Sequence, residues 1–278
     1  MINRFEKAEL KCPICQAKMQ VEGEKTLCCN GEKRHSYDIS SSGYVNLASP
    51  KQSGGGDTKS AVRARSEFLD SGYYQPIAEK TAELVKKYAG NSPCVIDAGC
   101  GEGYYSLLIA KNAETVIGFD ISKFAVEAAA KRAKRSGADN AVFGVASIFS
   151  MPMFDGYADA VVNIFAPCAE EEYARVLKDD GVLIVVHAGK DHLMGLKRAL
   201  YDATTENDAR ADLPSSLELL CEENLQYSIS VKGNDKINAL FAMTPYYWRT
   251  SQSDAKKLEN LELLETQIDI IFSVYKRK

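Results

Sequence analysis

The chain has 278 residues, 45% of them hydrophobic and 26% charged, which is the make-up of an ordinary globular protein and excludes a disordered or collagen-like chain. No apolar run approaches the roughly 18 to 20 residues needed to cross a bilayer, and the stretch Met1–Lys7 has no signal-type hydrophobic region, so a cytoplasmic location is expected. The net charge of −4 hides an asymmetry: residues 1–65 carry +4 and the remainder −8, which leaves a basic end able to meet a polyanion.

That basic end also holds four of the eight cysteines, Cys12, Cys15, Cys28 and Cys29, within 18 residues. In a reducing compartment such a cluster points to metal rather than to disulfides. Cys12-Pro-Ile-Cys15 makes one tight knuckle whose two sulfurs face one point, as tetrahedral Zn²⁺ requires. The second knuckle draws on Cys29 and His35. Cys29 is preferred to Cys28 because Lys25-Thr26-Leu27 enters as a short strand and the turn at Asn30-Gly31 begins at the ligand, with Cys28 as the alternative. Four ligands, Cys12, Cys15, Cys29 and His35, close the site and make it structural.

Gly43-Tyr44-Val45-Asn46-Leu47 reads as a short strand leaving the knuckle, which gives a zinc-binding domain over 1–47 whose basic charge suits a polyanion. Residues 48–59, with three consecutive glycines, read as a flexible linker. A helix is expected from about Lys59 to Leu69, ending at Ser71-Gly72, and another after Pro76. From residue 93 strands and helices alternate: strands at 94–97, 115–120, 141–145, 160–165 and 182–186, and helices over 103–112, 122–135 and 169–177. Continuous apolar strands separated by helices predict a doubly wound, mostly parallel α/β sheet occupying 60–278.

The first of these strands runs into Asp97-Ala98-Gly99-Cys100-Gly101-Glu102-Gly103 and then a helix, where glycines let a ligand approach the backbone at the carboxyl end of the sheet. The spacing is G-x-G-x-G, not the G-x-G-x-x-G of a dinucleotide site. A second acid, Asp120, ends the next strand. This arrangement resembles the S-adenosylmethionine loop of class I methyltransferases. The resemblance implies a seven-stranded sheet, contacts to the aminoacyl part of the cofactor from Asp97, Gly99, Gly101, Glu102 and Gly103, and an Asp120 carboxylate on the ribose hydroxyls.

Taken with the zinc knuckle, the motifs Arg65-Ser-Glu-Phe-Leu-Asp-Ser-Gly-Tyr-Tyr74-Gln-Pro, Ile164-Phe-Ala-Pro-Cys168, His192-Leu-Met and Met243-Thr-Pro-Tyr-Tyr-Trp-Arg249 are similar to the bacterial 23S ribosomal RNA (guanine-N1)-methyltransferases over nearly the whole chain. The departure is a second knuckle longer than the family's Cys-x3-His. The resemblance implies that Tyr74 and His192 also reach the cofactor, that the cofactors are S-adenosylmethionine and Zn²⁺, and that the partner is a hairpin loop of 23S ribosomal RNA. It admits a homodimer. Asn163 or a backbone carbonyl of the 165–168 segment is a candidate to hold the guanine edge, and Phe165 to stack on a flipped base. No residue is singled out as general base. The rival readings are a small-molecule methyltransferase of the same fold and, through Pro167-Cys168, a cytosine-C5 RNA methyltransferase.

Overall fold

The computed structural model describes residues 4–49, 56–207 and 213–277. The amino-terminal segment forms an antiparallel ribbon of β1 (Met19–Glu22), β2 (Thr26–Cys29) and β3 (Ser36–Asp38). Next come β4 (Tyr44–Asn46), α1 (Lys59–Asp70) and α2 (Gln75–Ala89). The alternating region follows with β5 (Cys94–Ala98), α3 (Tyr104–Ala110), β6 (Thr115–Asp120), α4 (Lys123–Ser136), β7 (Ala141–Val145), β8 (Ala158–Ile164), α5 (Glu170–Val176), β9 (Leu177–Ala188) and α6 (Met194–Leu200). The chain closes with β10 (Glu218–Lys232), α7 (Asn234–Ala242), a 3-10 turn over Pro245–Trp248, α8 (Gln252–Ala255), a second 3-10 turn over Lys256–Leu258, and β11 (Leu263–Lys276).

The large sheet has eight strands in the order β10-β11-β9-β8-β5-β6-β7-β4. Seven of them are the expected set, parallel except for β11, which runs antiparallel to both neighbours. The eighth corrects the sequence reading. Tyr44–Asn46, assigned above to the zinc-binding unit, pairs parallel with Phe143–Val145 and covers what would have been the edge of the sheet. Of the expected linker, residues 50–55 lie outside the described residues. Its end at Gly56-Asp57 packs on the start of α4, where the Ser122 hydroxyl donates to the Asp57 carbonyl at 2.7 Å.

The central strands are buried on both faces, which is why they read as continuous apolar runs. Val95, Val116, Val162 and Ile184 face α1 to α4, whereas Ile96, Ile117, Val161 and Leu183 face the other side. On that second side the β7–β8 connection, residues 146–157, has no helix. The amino-terminal segment covers the sheet there: Phe5, Leu10, Met19 and Leu27 share one core with Phe119, Val142, Met151 and Met153. Backbone pairing seals the contact, with the Lys11 N–H donating to the Pro152 carbonyl at 2.8 Å and the Tyr157 hydroxyl to the Lys7 carbonyl at 3.1 Å. The ribbon is therefore docked on the sheet.

Local signals start the helices. Thr58 and Ser122 accept from the N–H groups of Ala61 and Ala125 as caps of α1 and α4, and Pro76 sits in the first turn of α2. At the carboxyl end of the parallel strands β11 and β10 run past β9: β9 ends at Ala188 opposite Ile270, while Leu263–Asp269 continue beyond it. The insertion from α7 to the second 3-10 turn sits at the far end of this overhang, with α7 packed on α1.

Candidate functional site

Two centres emerge, the first in the ribbon. The ligand atoms of Cys12, Cys15, Cys29 and His35 all lie within 4.8 Å of one another. Cys15 and Cys29 sulfurs are 3.5 Å apart, and His35 Nδ1 is 3.5 Å from Cys29 Sγ and 3.7 Å from Cys12 Sγ. A tetrahedron with a Zn–S bond of about 2.3 Å has sulfur–sulfur edges of roughly 3.8 Å, so the donor set suits zinc and leaves no fifth position. Strand alternation separates the paired cysteines: Cys29 turns toward the cluster, whereas Cys28 is outside it and takes the Arg34 guanidinium at 3.6 Å. The backbone N–H of His35 donates to Cys29 Sγ at 3.2 Å, and together with that of Gly31 holds the Cys29 thiol down to about 6, favouring the thiolate that binds metal. The Tyr37 hydroxyl lies 3.6 Å from Cys12 Sγ, an outer partner that the spacing of cysteines does not reveal.

The second centre lies beyond β5, where the chain turns through Gly99, Gly101 and Gly103, all at positive φ (86°, 53° and 78°). Any side chain would be strained there. At Gly99 it would also be blocked, since an added Cβ would stand 2.6 Å from Ala166 Cβ. The glycine is thus what lets the loop after β8 close against the loop after β5.

Asp120 ties this cradle to the next helix, one carboxylate oxygen accepting from the Gly101 N–H at 3.1 Å and the other from the Ser122 N–H at 2.7 Å. Asp97 is buried and accepts from the Ser106 hydroxyl at 2.5 Å; burial pushes its carboxyl up to about 7. Burial also raises Asp120 and Glu102. Glu102 Oε1 is buried and has no hydrogen-bond partner among the described residues, with Arg132 as its nearest cation at 3.8 Å. Arg65, paired with Asp57 at 2.5 Å, lies beside Gly101. Three acids made costly by burial around a glycine cradle suit a ligand that brings positive charge.

The far wall is aromatic. Tyr74, fully buried at the start of α2, meets His192 Nε2 at 3.2 Å through its hydroxyl. His192 stands in the turn before α6, and its Nδ1 accepts from the Asp269 N–H at 3.4 Å. That assignment leaves the proton on Nε2, which donates to Tyr74 and frees the phenol hydrogen of Tyr74 for a ligand. Burial holds His192 down to about 4, so it is neutral at physiological pH. Phe165, 45% exposed and at φ 53°, stacks on His192 with ring centres 6.1 Å apart and lies 6.4 Å from Tyr74. The structure therefore brings Tyr74, His192 and Phe165 together opposite the glycine loop.

One expectation is corrected. Asn163 is not available to a guanine edge: its side-chain amide donates to the Pro167 carbonyl at 2.9 Å and the Tyr173 hydroxyl at 2.7 Å, and Tyr173 donates to the same carbonyl at 3.1 Å. These bonds brace the loop that presents Phe165. Sequence reasoning also missed Asn207, whose amide donates to the carbonyls of Gly189, Lys190 and His192 and whose oxygen accepts from the Tyr246 hydroxyl at 2.9 Å. Nothing in its local sequence signals that role.

Comparison with known proteins follows the same two-centre division. The methyltransferase domain family matches residues 92–260, and the zinc-ribbon family described as "RlmA, N-terminal" matches residues 10–53. The 23S rRNA (guanine(748)-N(1))-methyltransferase of Streptomyces fradiae is 31% identical over 276 residues, covering 95% of each chain. YxjB of Bacillus subtilis, whose name marks it as a candidate for 23S rRNA guanine-N1 methylation, is 28% identical and covers 94% of each. Among solved structures, the YcgJ protein of Bacillus subtilis superposes with a TM-score of 0.50 at 19% identity, over 72% of this chain and 99% of that one, a likeness of fold.

Proposed function

The chain belongs to the 23S rRNA (guanine-N1)-methyltransferase family, a class I S-adenosylmethionine-dependent enzyme with an amino-terminal zinc ribbon, and from that premise we propose how its residues divide the work. Cys12, Cys15, Cys29 and His35 hold a structural Zn²⁺. Gly99, Gly101 and Gly103 cradle the aminoacyl part of the cofactor, Asp97 and Glu102 meet its positive charge, and Asp120 accepts from the ribose hydroxyls with the lone pairs left over from Gly101 and Ser122. Tyr74 offers its hydrogen from the opposite wall, its oxygen held by the N–H donated from His192 Nε2.

S-adenosylmethionine supplies an electrophilic methyl on a sulfonium, so the protein's task is chiefly alignment of the nucleophile with it. The observation that carries the substrate reading is Phe165. A half-exposed ring in the left-handed region, stacked on a neutral histidine beside the cradle, is a surface for one face of a guanine turned out of its stack. The left-handed backbone costs of order 1 kcal/mol and is maintained by the Asn163 and Tyr173 brace. Guanine N1 is engaged in pairing within a helix, so the target is a hairpin-loop guanine, approached with the basic ribbon on the RNA backbone. An enzyme acting on ribosomal RNA suits a cytoplasmic location. Sedimentation velocity distinguishes a homodimer from a monomer.

Primer extension on ribosomal RNA from a deletion strain locates the modified nucleotide as a lost stop. The purified enzyme should then methylate a hairpin carrying that guanine and leave free guanosine unmodified. Equal activity on free guanosine would replace this reading with that of a small-molecule enzyme.

A further inference from the structure

The chain's only tryptophan, Trp248, is 71% exposed and stands on the 3-10 turn of the insertion between β10 and β11. Its neighbour Tyr247 is 46% exposed and packs edge-on between Trp248 and Phe241, with ring centres 5.2 and 5.4 Å away. Tyr247 thus packs perpendicular to Trp248, whose ring is otherwise largely open to solvent. Arg249 follows, exposed and without an ion pair among the described residues. Tyr247 and Trp248, exposed side by side, form an aromatic surface next to a cationic side chain.

The place of the turn identifies the partner's class. Tyr246, in the same turn, donates to Asn207, which donates to the His192 carbonyl at 2.9 Å, and His192 stacks on Phe165. Lys197 lies over the Tyr246 ring at 5.4 Å, and the Thr250 hydroxyl meets that of Tyr201 on the 200s side. The turn is thus fastened by short polar links to the wall of the methyl-transfer site and overhangs it at the end of the β10–β11 projection. We propose that Trp248, propped by Tyr247 and flanked by Arg249, is a stacking platform for an unpaired nucleobase of the RNA next to the target guanine, with the guanidinium on the adjoining phosphate. An exposed indole with an exposed guanidinium on the next residue matches a single-stranded nucleotide, which presents a π-face and a phosphate. The assignment rests on the RNA substrate argued above.

Because Trp248 is the sole tryptophan, its emission is a direct probe in the unmodified protein. Titration with a hairpin containing the mapped guanine should quench that emission, with the midpoint given by anisotropy of the labelled RNA. Trp248→Ala should raise the KM for the hairpin by about tenfold, the range for one lost base stack, with kcat within about twofold and cofactor affinity unchanged; Trp248→Phe should recover most of the loss. Arg249→Ala should lower the salt slope of binding by about 1.

RNA binding without quenching, or an unchanged KM in a folded Trp248→Ala variant, overturns the platform. So does a change of sedimentation in that variant with RNA kinetics intact, which would give the surface to a second copy of the chain. A wild-type enzyme that methylates no RNA overturns the substrate reading itself, whereas an active wild type matched by Trp248→Ala removes the platform alone.

Discussion

In the ribbon, three strands of four, four and three residues meet around three thiols and an imidazole; beyond β5, a loop of five residues leading into α3 is shaped by glycines and flanked by carboxylates at the ends of two almost wholly buried strands. The ribbon has one buried side, and that side belongs to the sheet's core. Its fold away from the sheet rests on metal coordination, which in isolated zinc modules is worth about 10–16 kcal/mol. The cofactor end needs no such staple, because β5 and β6 bury Val95, Ile96, Val116 and Ile117 on both faces. It instead concentrates strain and charge, at three positive-φ glycines and three acids displaced from their ordinary ionisation. Stability and readiness for a ligand are thus assigned to different places.

The largest effect expected is on the first region. Cys12→Ser removes a fully buried ligand and should remove several kcal/mol of that coordination energy. Zinc retained after dialysis against a chelator should fall from about one equivalent per chain to below a tenth, and RNA methylation should be lost, while calorimetry finds cofactor affinity within about threefold. A collapse of cofactor binding as well would mean that the shared core transmits the damage, and the contrast between the two regions would fail.

Asp120→Asn probes the second region. It keeps the size of the side chain but removes the charge and one acceptor, and should weaken S-adenosylmethionine binding by about 1.5–3 kcal/mol with zinc content unchanged. An unaltered dissociation constant in the folded variant would displace the ribose from Asp120.

The pH dependence sharpens the same point. Asp97, pushed up to about 7, is about half protonated in the cofactor-free protein at neutral pH, and a cationic ligand favours its carboxylate. Binding should release a proton and tighten by up to about tenfold per pH unit as pH rises toward 7, then level off. Asp97→Asn should flatten that slope, while His192, held down to about 4, contributes no step above pH 5. For the cofactor-free fold the sign is opposite: with its pKa raised in the folded state, Asp97 contributes stability at low pH that is lost as pH climbs through about 7. An affinity that weakens with rising pH would show that Asp97 faces no positive charge.

The smallest effect is at the ribbon surface. Lys33→Ala with Arg34→Ala should flatten the salt dependence of RNA binding by about 1 unit and leave cofactor binding alone. Arg34 is already paired with Glu22, which limits what it gives to a phosphate. No change in slope would move the polyanion contact elsewhere.

The sheet from β5 to β9 was legible because its central strands are buried on both faces and glycine, the Ser122 cap and an acidic first turn mark where α3, α4 and α5 begin. The cluster of Cys12, Cys15, Cys29 and His35 was legible from spacing, and the alternation of β2 explains why only one of two adjacent cysteines joins it. Three things were not. Tyr44–Asn46 has the same apolar signature whether it closes a ribbon or extends a sheet, and only its partner, 99 residues along at Phe143, decides. The β10 strand buries mainly Ile229 and Val231 and leaves most of its length half or fully exposed, so it lacks a strong apolar run. Asn163 looked chemically available because its partners, Pro167 and Tyr173, are set by the turn after β8 and the packing of α5.

The bridge between Leu10 and Met153 has a consequence for the order in which the protein is built. During synthesis the ribbon leaves the ribosome well before residues 141–157, so its apolar side, with Phe5, Leu10, Met19 and Leu27, waits through more than a hundred residues of translation for the surface that will cover it. Such distant closure is slow, and the exposed strands are vulnerable meanwhile. Zinc capture by Cys12, Cys15, Cys29 and His35 involves only residues within the first 35. The metal can therefore act as a timekeeper, holding the early segment in its final shape until the late one arrives to receive it.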